Sequence, residues 1–408
     1  MTVNESITDL AAQITESAEA RREEIVALCA ALVAARSVNP DGDTRAVAQV
    51  VLTALTNLGL SPRFERQAET MPSVIAELDS GKPGPHLVLN VHLDTMPPGD
   101  EGAWSVPIWE LTRRDGRLYG LGMGNMKGAV AAMITAAALL NENRDAWQGC
   151  ITFTAVSDEV VFGENGAAYL LREHPHFYGD GLICGEGPGF QRLGIGEKGV
   201  LWLELNATGD AGHSSSVKRG RSATARLAAA VSQVDALNGA RSIAPAELAD
   251  YFSVERDPGF ELTANVGTID AGTFVGQVAI DGRAEIDLRL PPGIDTDAAE
   301  AMVARIAESV GEVTVRRIKG WDPNWTSPHN ALARAWNHAA GLLGTAEPEY
   351  AIRLPASDAS RWRHEGIPAL CFGPQPTLSA GVDDYAEEDE VIRCVSLYTM
   401  AAMTFLNS

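Results

Sequence analysis

The chain has 408 residues, which is enough for two or three domains with a buried core. It carries 32 Lys and Arg against 54 Asp and Glu, and the resulting formal charge of −22 argues against nucleic acid and anionic membrane surfaces as partners. The five cysteines are scattered and odd in number, so the sequence indicates neither a disulfide framework nor a thiolate zinc site.

The N-terminal segment is acidic and helical in period, without the basic and apolar regions of an export signal. The Ala-rich stretch at 128–140 is too short to span a membrane and is typical of a packed helix. These features predict a cytoplasmic protein with no membrane partner.

The first part of the chain alternates between predicted strands and helices. Helical periodicity covers about 7–58 with a break near residue 40, strands follow at 73–78 and 87–91, a helix at 126–140, and strands at 151–156 and 182–184. Polar residues follow three of these strands, namely His92 with Asp94, Asp158 with Glu159, and Glu186. Open α/β sheets place their ligands at the carboxyl ends of strands, so these positions are candidates for a site.

His92 and Asp94 are two residues apart at the end of an apolar strand, so alternation places both on one face. An imidazole that binds a metal, beside a carboxylate that accepts its second ring proton, is a common pair in metal sites. For an isolated His-x-Asp, a plain strand end with two polar residues is the favoured interpretation. The metal hypothesis therefore depends on the rest of the chain.

From about residue 199 the pattern changes to strands at 200–208, 262–269, 278–290 and 313–318 and helices at 222–237 and 295–310. The order βαββαβ predicts a small α+β domain with an antiparallel sheet. Strand and helix alternation resumes after residue 327, with a helix at 330–343, a strand at 369–372 and a helix at 391–406. We therefore expect a first domain made of residues 1–198 and 320–408, interrupted by an inserted domain at 199–319.

Seven motifs then occur in one order along nearly the whole chain: NVHLDTMPPGD, DGRLYGLGMGNMKGAVAAM, SDEVVFGENGA, ICGEGPG, GDAGHSS, EIDLRLPPG and GIPALCFGP. In these the chain resembles the family of two-zinc hydrolases that contains acetylornithine deacetylase, succinyl-diaminopimelate desuccinylase and the glutamate-releasing carboxypeptidases. The resemblance implies an α/β fold with a mixed, mostly parallel central sheet and helices on both faces. It also implies that the inserted domain is a lid that serves for dimerisation, and that the reaction is hydrolysis of a C–N bond.

Two zinc ions about 3.5–4 Å apart activate a shared water in such a site, and a nearby Glu moves the proton. By the resemblance, His92 is the first histidine ligand, Asp94 the aspartate that supports it, Glu159 the general base and Glu186 a carboxylate ligand. Asp94 and Glu159 are thus the predicted catalytic residues.

Three ligand positions depart from the family pattern. Asn125 stands where the family has the bridging aspartate, and its amide oxygen carries no charge to hold two ions together. Val160 follows the base where a second carboxylate ligand is expected. Ala380 occupies the position of the last histidine ligand, and no histidine occurs after His364.

The remaining ligands, His92, Glu186 and Asn125, predict a reduced site for one divalent ion, Zn or Mn, held weakly, with a metal-free state also possible. Asp158 or Glu164 could serve as extra ligands, although solvated loop carboxylates are the plainer interpretation. Lys127 could supply positive charge where the second metal ion would lie in the family pattern, or it could be structural.

Three residues of the inserted domain are predicted to bind substrate. His213, in AGHSS, resembles the histidine that stabilises an oxyanion across the dimer; the alternative is a lone loop histidine. Arg289 resembles the arginine that holds a substrate carboxylate; the alternative is a strand arginine paired with an acid. Asn265 lies in the matching strand, but a second asparagine expected near Gly276 is missing.

Four further residues leave two interpretations open. His174 and His176 have an i, i+2 spacing that could chelate an adventitious ion, but a surface helix end is the plainer interpretation. Trp321 and Trp325 either pack near the end of the inserted domain or form a wall of a pocket for an aromatic substrate.

The sequence therefore predicts a homodimeric, or higher homo-oligomeric, hydrolase that cleaves a C–N bond of an amide, carbamoyl group or activated amine in a small carboxylate-bearing molecule. A metal-free lyase or isomerase that uses Glu159, with Lys127 stabilising charge, is an alternative. A catalytically inactive ligand-binding or structural homologue is another.

Overall fold

A computed structural model describes residues 3–40, 42–375 and 381–408, with side chains from residue 7 onward. The chain divides into two compact units. Unit 1 comprises Met1–Ile195, Thr326–Ala351 and Ser357–Ser408, and unit 2 comprises Gly196–Trp325 and Ile352–Ala356.

The α-helices are α1 Val3–Ala20, α2 Arg22–Ala34, α3 Arg45–Asn57, α4 Gly128–Glu142, α5 Ala167–Glu173, α6 Ala223–Asp235, α7 Thr296–Val310, α8 Ala331–Leu342, α9 Ala359–His364 and α10 Glu388–Leu406. The strands are β1 Arg63–Glu65, β2 Ser73–Asp79, β3 His86–His92, β4 Thr112–Arg114, β5 Arg117–Tyr119, β6 Cys150–Val156, β7 Gly181–Cys184, β8 Arg192–Glu197, β9 Gly199–Thr208, β10 Thr263–Ala271, β11 Asp281–Leu290, β12 Val313–Trp321, β13 Asn324–Trp325, β14 Glu349–Arg353, β15 Ala369–Cys371 and β16 Tyr385–Glu387.

The central sheet of unit 1 has the strand order β1-β2-β6-β3-β7-β15-β8. Strands β6, β3, β7 and β15 run parallel, while the pairs β1–β2, β2–β6 and β15–β8 are antiparallel. The expected mixed α/β sheet is confirmed, with its parallel part at the centre. Strand β3 lies between β6 and β7, and its residues from Leu87 to Val91 are buried, as expected for a strand covered on both faces.

Helix α4 packs against this sheet and against α10. Small residues such as Ala131, Ala132 and Ala136 are fully buried and let the helix approach its neighbours closely. The segment Met123–Glu142 is apolar enough to span a membrane by composition alone, yet 94% of its most apolar window is buried inside the protein. Its hydrophobicity is therefore that of a core helix.

Unit 2 contains an antiparallel sheet with the order β10-β11-β9-β12. Alternate residues of β9, namely Leu201, Leu203 and Leu205, face a core shared with Leu227 of α6 and Val303 of α7. The element order β9-α6-β10-β11-α7-β12 is the βαββαβ order that the periodicity predicts.

Several short elements escape the sequence patterns. Strands β8 and β14, helix α9 and the small sheet β16-β5-β4 are examples. Each of these has only three to six residues, too few for a clear period.

Candidate functional site

The site lies at the carboxyl end of the central parallel strands of unit 1. His92 is the last residue of β3 and pairs with Val156, the last residue of β6. Glu159 follows β6 by three residues, and Glu186 follows β7 by two. Because β6 and β7 flank β3 on either side, parallel pairing brings the three side chains together.

The three side chains form a buried triangle. The Nε2 atom of His92 lies 3.8 Å from Oε2 of Glu159 and 3.7 Å from Oε1 of Glu186. One ligand atom from each residue can be chosen so that all three lie within 4.8 Å of one another. The side chains of His92 and Glu186 are 1% and 3% exposed, so water solvates these charged groups very little.

Asn125 joins the triangle from the loop before α4. Its Oδ1 lies 3.4 Å from Nε2 of His92. Asp384 fixes this loop by accepting hydrogen bonds from the backbone N–H groups of Gly122 and Gly124 at 2.8 and 3.1 Å. Gly122 has φ +85° and a Cβ there would lie 2.5 Å from Thr95, so the loop requires glycine at this position.

Asp94 lies beside His92, although its main-chain oxygen is the nearer contact. Nδ1 of His92 is 2.9 Å from the Asp94 carbonyl oxygen and 3.6 Å from the carboxylate Oδ1. The Asp94 carboxylate accepts hydrogen bonds from the backbone N–H groups of Glu159 and Val160 and from the Asn39 amide. Asp94 therefore fixes both the imidazole and the backbone that carries Glu159.

Burial and neighbouring charges shift the pKa values of the buried groups in this site. Burial, with the Glu186 charge adding to it, holds the pKa of Glu159 well above its ordinary value. Burial alone would lower the pKa of His92, but the surrounding Asp94, Glu159 and Glu186 raise it to about 10. Burial likewise raises the pKa of Asp358, a residue just before α9, to about 6.

The donor set fits one divalent ion. Two ligand atoms at about 2.1 Å from a common ion in tetrahedral geometry are about 3.4 Å apart. His92 Nε2 lies at a similar distance from the Asn125 and Glu186 oxygens, 3.4 and 3.7 Å. By the resemblance, a second ion would need carboxylates at two further positions, where Asn125 is neutral and Val160 offers no ligand atom. Ala380, the third departure, lies outside the described residues.

The predicted alternatives for extra ligands are occupied or exposed. Asp158 accepts hydrogen bonds from Asn39 and from the backbone and side chain of Asn165. Glu164 is exposed. The Nζ of Lys127 lies 3.4 Å from the Ala35 carbonyl oxygen, and burial lowers the pKa of Lys127 to about 7.

The three predicted substrate-binding residues belong to unit 2. His213 is exposed, and its Nδ1 lies 2.8 Å from the Ser215 hydroxyl. Arg289 donates from Nε and Nη2 to Oδ2 of Asp287 at 3.1 and 2.9 Å, so it pairs with an acid of its own strand. Asn265 is exposed on β10 and lies opposite Asp287 in the sheet register.

The structure also places the four residues for which the sequence left two interpretations. His174 and His176 each lie near a different carboxylate, Glu65 at 3.5 Å and Glu77 at 3.7 Å. Trp325 donates from Nε1 to Glu247. Trp321 is half-buried at the end of β12.

Sequence patterns missed two residues of the site environment. Asn39 donates to both Asp94 and Asp158, and it lies in a Ser-Val-Asn-Pro turn that indicates only a loop. Asp358 is 5% exposed and interacts electrostatically with His92 and Glu186. The only signal for Asp358 is a Ser-Asp pair before a short helix, which ordinarily indicates a helix cap.

Comparisons with known proteins agree with this architecture. A family profile described as peptidase family M20/M25/M40 matches residues 88–404. The succinyl-diaminopimelate desuccinylase of Xanthomonas oryzae pv. oryzae (strain PXO99A) is 28% identical over 390 residues, which cover 92% of this chain and 97% of that protein. The probable succinyl-diaminopimelate desuccinylase of Staphylococcus aureus (strain MRSA252) is 25% identical over 359 residues, covering 83% and 87%.

Solved structures share the fold at low identity. The M20 family metallo-carboxypeptidase Sso-CP2 from Sulfolobus solfataricus has a TM-score of 0.76 at 17% identity and covers 94% of this chain and 99% of its own. Human carnosine dipeptidase 1 has a TM-score of 0.75 at 16% identity, covering 97% and 99%. A dinuclear metal-binding peptidase of the M20 family from Bacillus subtilis has a TM-score of 0.71 at 15% identity, covering 95% and 99%.

Proposed function

Because the chain belongs to peptidase family M20/M25/M40, and is therefore a metal-dependent hydrolase of amide or peptide bonds, we propose that it works with one divalent ion instead of two. The observation that carries this proposal is the convergence of His92, Glu186 and Asn125 beside a position where Val160 offers no ligand. The substrate is a small molecule with a carboxylate and a C–N bond to be cleaved.

The proposed ligands are Nε2 of His92, the carboxylate of Glu186 and the amide oxygen of Asn125. An ion of Zn or Mn held by these residues would lower the pKa of a bound water and polarise the carbonyl of the scissile bond. One neutral nitrogen, one carboxylate and one amide form a weak donor set, so we expect the ion to be labile.

Glu159 is the proposed proton carrier. Its backbone N–H is fixed by Asp94, and its carboxylate lies 3.8 Å from Nε2 of His92, beside the proposed ligands. A pKa raised by burial favours a carboxyl group that accepts a proton from the attacking water and delivers it to the leaving nitrogen. Asp94 supports this role by holding the Glu159 backbone and the imidazole together.

For the substrate, we propose that His213, Arg289 and Asn265 of unit 2 recognise the oxyanion and the carboxylate. Arg289 would have to share its guanidinium between Asp287 and the substrate. The desuccinylase relatives act, by their names, on a succinylated amino acid, and N-acyl amino acids are accordingly the first substrate class to test.

The test combines metal analysis with turnover. Protein stripped with a chelator and dialysed against Zn²⁺ or Mn²⁺ should bind one ion per chain by elemental analysis, and His92→Ala should abolish binding. A panel of N-acyl amino acids that includes N-succinyl-diaminopimelate should release free amine only with metal. Two ions per chain in active protein, or turnover that persists in excess chelator, would contradict the one-metal proposal.

A second candidate is a binding homologue without catalysis. The observation that favours it is the loss of charge at Asn125 and of any ligand atom at Val160. It predicts no metal binding and no amine release, whereas a metal-free lyase or isomerase predicts turnover that chelators do not affect. The buried triangle of His92, Glu159 and Glu186 favours the hydrolase, since a binding module has no need of it.

We further propose that the chain is a cytoplasmic homodimer or higher homo-oligomer. All five cysteines are free thiols, which suits a reducing compartment. Unit 2 is the proposed lid and dimerisation domain.

A further inference from the structure

Asp358 is a buried carboxylate without a full set of partners. Only 5% of the residue is exposed. Its Oδ1 lies 3.6 Å from Nε of Arg361, and its Oδ2 has no hydrogen-bond partner among the residues that the structure describes. A buried charged oxygen without a donor destabilises the fold unless another group stabilises it.

The position just before α9 does not explain this carboxylate. An aspartate that precedes a helix usually accepts a hydrogen bond from a backbone N–H of the first turn. The Asp358 side chain makes no such bond. Arg361 is a weak partner, because its guanidinium also donates to the Gly163 carbonyl oxygen and is 29% exposed.

The charge of Asp358 instead acts on the candidate metal site. Asp358 interacts electrostatically with His92 and Glu186, and it also raises the pKa of Glu159. It is not part of the triangle whose ligand atoms lie within 4.8 Å of one another. Asp358 is therefore near enough to interact with an ion at His92 but is not among its nearest donors.

The Asp358 carboxylate can compensate for negative charge that the metal site lacks. Asn125 and Val160 remove two negative charges from the positions that hold the metals in the family pattern. A divalent ion on His92, Asn125 and Glu186 would be offset by one ligand carboxylate. A further buried anion nearby lowers the electrostatic free energy of the bound cation, because the charges interact through a poorly solvated interior.

We propose that Asp358 is a positioning residue that strengthens binding of a divalent ion at His92, Glu186 and Asn125 through its charge, without being a ligand. This inference rests on the proposed one-metal function. In the metal-free protein burial disfavours the charge of Asp358 and Glu186 and Glu159 repel it, and the attraction of Arg361 and His92 offsets only part of that cost. Asp358 thus makes the fold more dependent on the ion.

The test measures Mn²⁺ binding by isothermal titration calorimetry and the melting temperature of the metal-free protein. Asp358→Asn should weaken Mn²⁺ binding about 10- to 100-fold, the range found when a group that supports metal ligands is removed. The melting temperature of metal-free Asp358→Asn should rise, since the variant removes a buried charge that Arg361 and His92 stabilise only in part. A merely structural aspartate would give a lower melting temperature and unchanged binding.

Matched variants separate charge from packing. Asp358→Glu should keep the affinity within about threefold, and Asp358→Ser should behave as Asp358→Asn does. The control is Glu388→Gln, which alters another buried carboxylate of unit 1, one paired with Arg22 and Arg113. It should lower the melting temperature and leave the affinity for Mn²⁺ unchanged.

Each result decides one of the two proposals. Wild-type affinity in both Asp358→Asn and Asp358→Ser overturns the role of Asp358 and leaves the one-metal site standing. Wild-type protein that binds no Mn²⁺ or Zn²⁺, or His92→Ala that binds as wild type does, overturns the one-metal proposal and the role of Asp358 with it.

Discussion

Glu159 combines a fixed backbone with a carboxyl group that its surroundings favour in the protonated form. Its N–H donates to Asp94, and the carboxylate faces His92 and Glu186 in a buried position. Like charges that share a low-dielectric site disfavour full ionisation. The surroundings of Glu159 therefore favour a carboxyl group that holds its proton more tightly than an exposed glutamate does.

We expect Glu159→Gln to lower kcat about 10²- to 10⁴-fold, because glutamine keeps the shape but cannot carry the proton. The measurement is steady-state turnover of whichever N-acyl amino acid the wild type cleaves, with metal content checked in parallel. Glu164→Gln is the control, since Glu164 is exposed five residues further on. If Glu159→Gln retains kcat within threefold, Glu159 is not the base.

At the level of single elements, the start of α10 links three parts of unit 1. Glu388 is the first residue of this helix, and it accepts hydrogen bonds from Arg22 of α2 and Arg113 of β4. An acidic residue at this end also interacts favourably with the helix dipole. Helix α10 packs in turn on α4, which follows the loop that carries Asn125.

Glu388 gives a prediction about stability and pH. Hydrogen bonding to Arg113, with Arg22 adding to it, lowers the pKa of Glu388 below its ordinary value. Because the pKa is lower in the folded state, the stabilisation is complete above the unfolded pKa of about 4.3 and is lost as the pH falls through the folded value. Glu388→Gln should therefore cost about 1–2 kcal/mol at neutral pH and progressively less in acid.

Urea denaturation of wild type and Glu388→Gln at about pH 7 and about pH 3.5 measures this difference. If the difference in the free energy of unfolding between wild type and Glu388→Gln is as large in acid as at neutral pH, then packing and not charge explains the loss of stability.

The sequence predicts the long elements and the residues that directly follow them. The apolar runs of β3, β6 and β7 locate His92, Glu159 and Glu186, because side chains at the ends of adjacent parallel strands must meet. Asn39 could not be predicted, since it reaches Asp94 from a loop 55 positions away. Asp358 was missed because α9 has six residues and its sequence shows no clear period.

The inserted unit gives a similar contrast. Alternation along β9 predicts which side chains enter the core of unit 2. It does not predict that Arg289 pairs with Asp287, because residues two apart on one strand share a face whether or not they touch. The roles of His213, Arg289 and Asn265 stay predictions.

At the scale of the whole molecule, unit 2 exposes a group of large apolar side chains. Phe274 is 66% exposed and Val275 93%, and both line a cleft of about 440 Å³ with Val217. Exposed apolar clusters of this kind are common at protein interfaces. The predicted dimer would bury such a surface.

We expect wild type to have about twice the mass of one chain in sedimentation equilibrium, and Phe274→Glu combined with Val275→Glu to shift it to the monomer. Two buried charges at an interface are costly to desolvate. Ile243→Glu serves as the control, since Ile243 is 89% exposed and lines no part of this cleft. A dimer that the double variant does not weaken would place the interface elsewhere.

The interruption of unit 1 by unit 2 has a consequence for biosynthesis. Residues 196–325 leave the ribosome before β15, which must still enter the sheet between β7 and β8. Until then β7, next to the strand that carries His92, has an unpaired edge, and such edges are prone to wrong pairing. Unit 1 can complete its fold only after Ser357–Ser408 have left the ribosome. A ribosome-bound chaperone that shields this edge would therefore increase the yield of folded unit 1 more than the yield of folded unit 2.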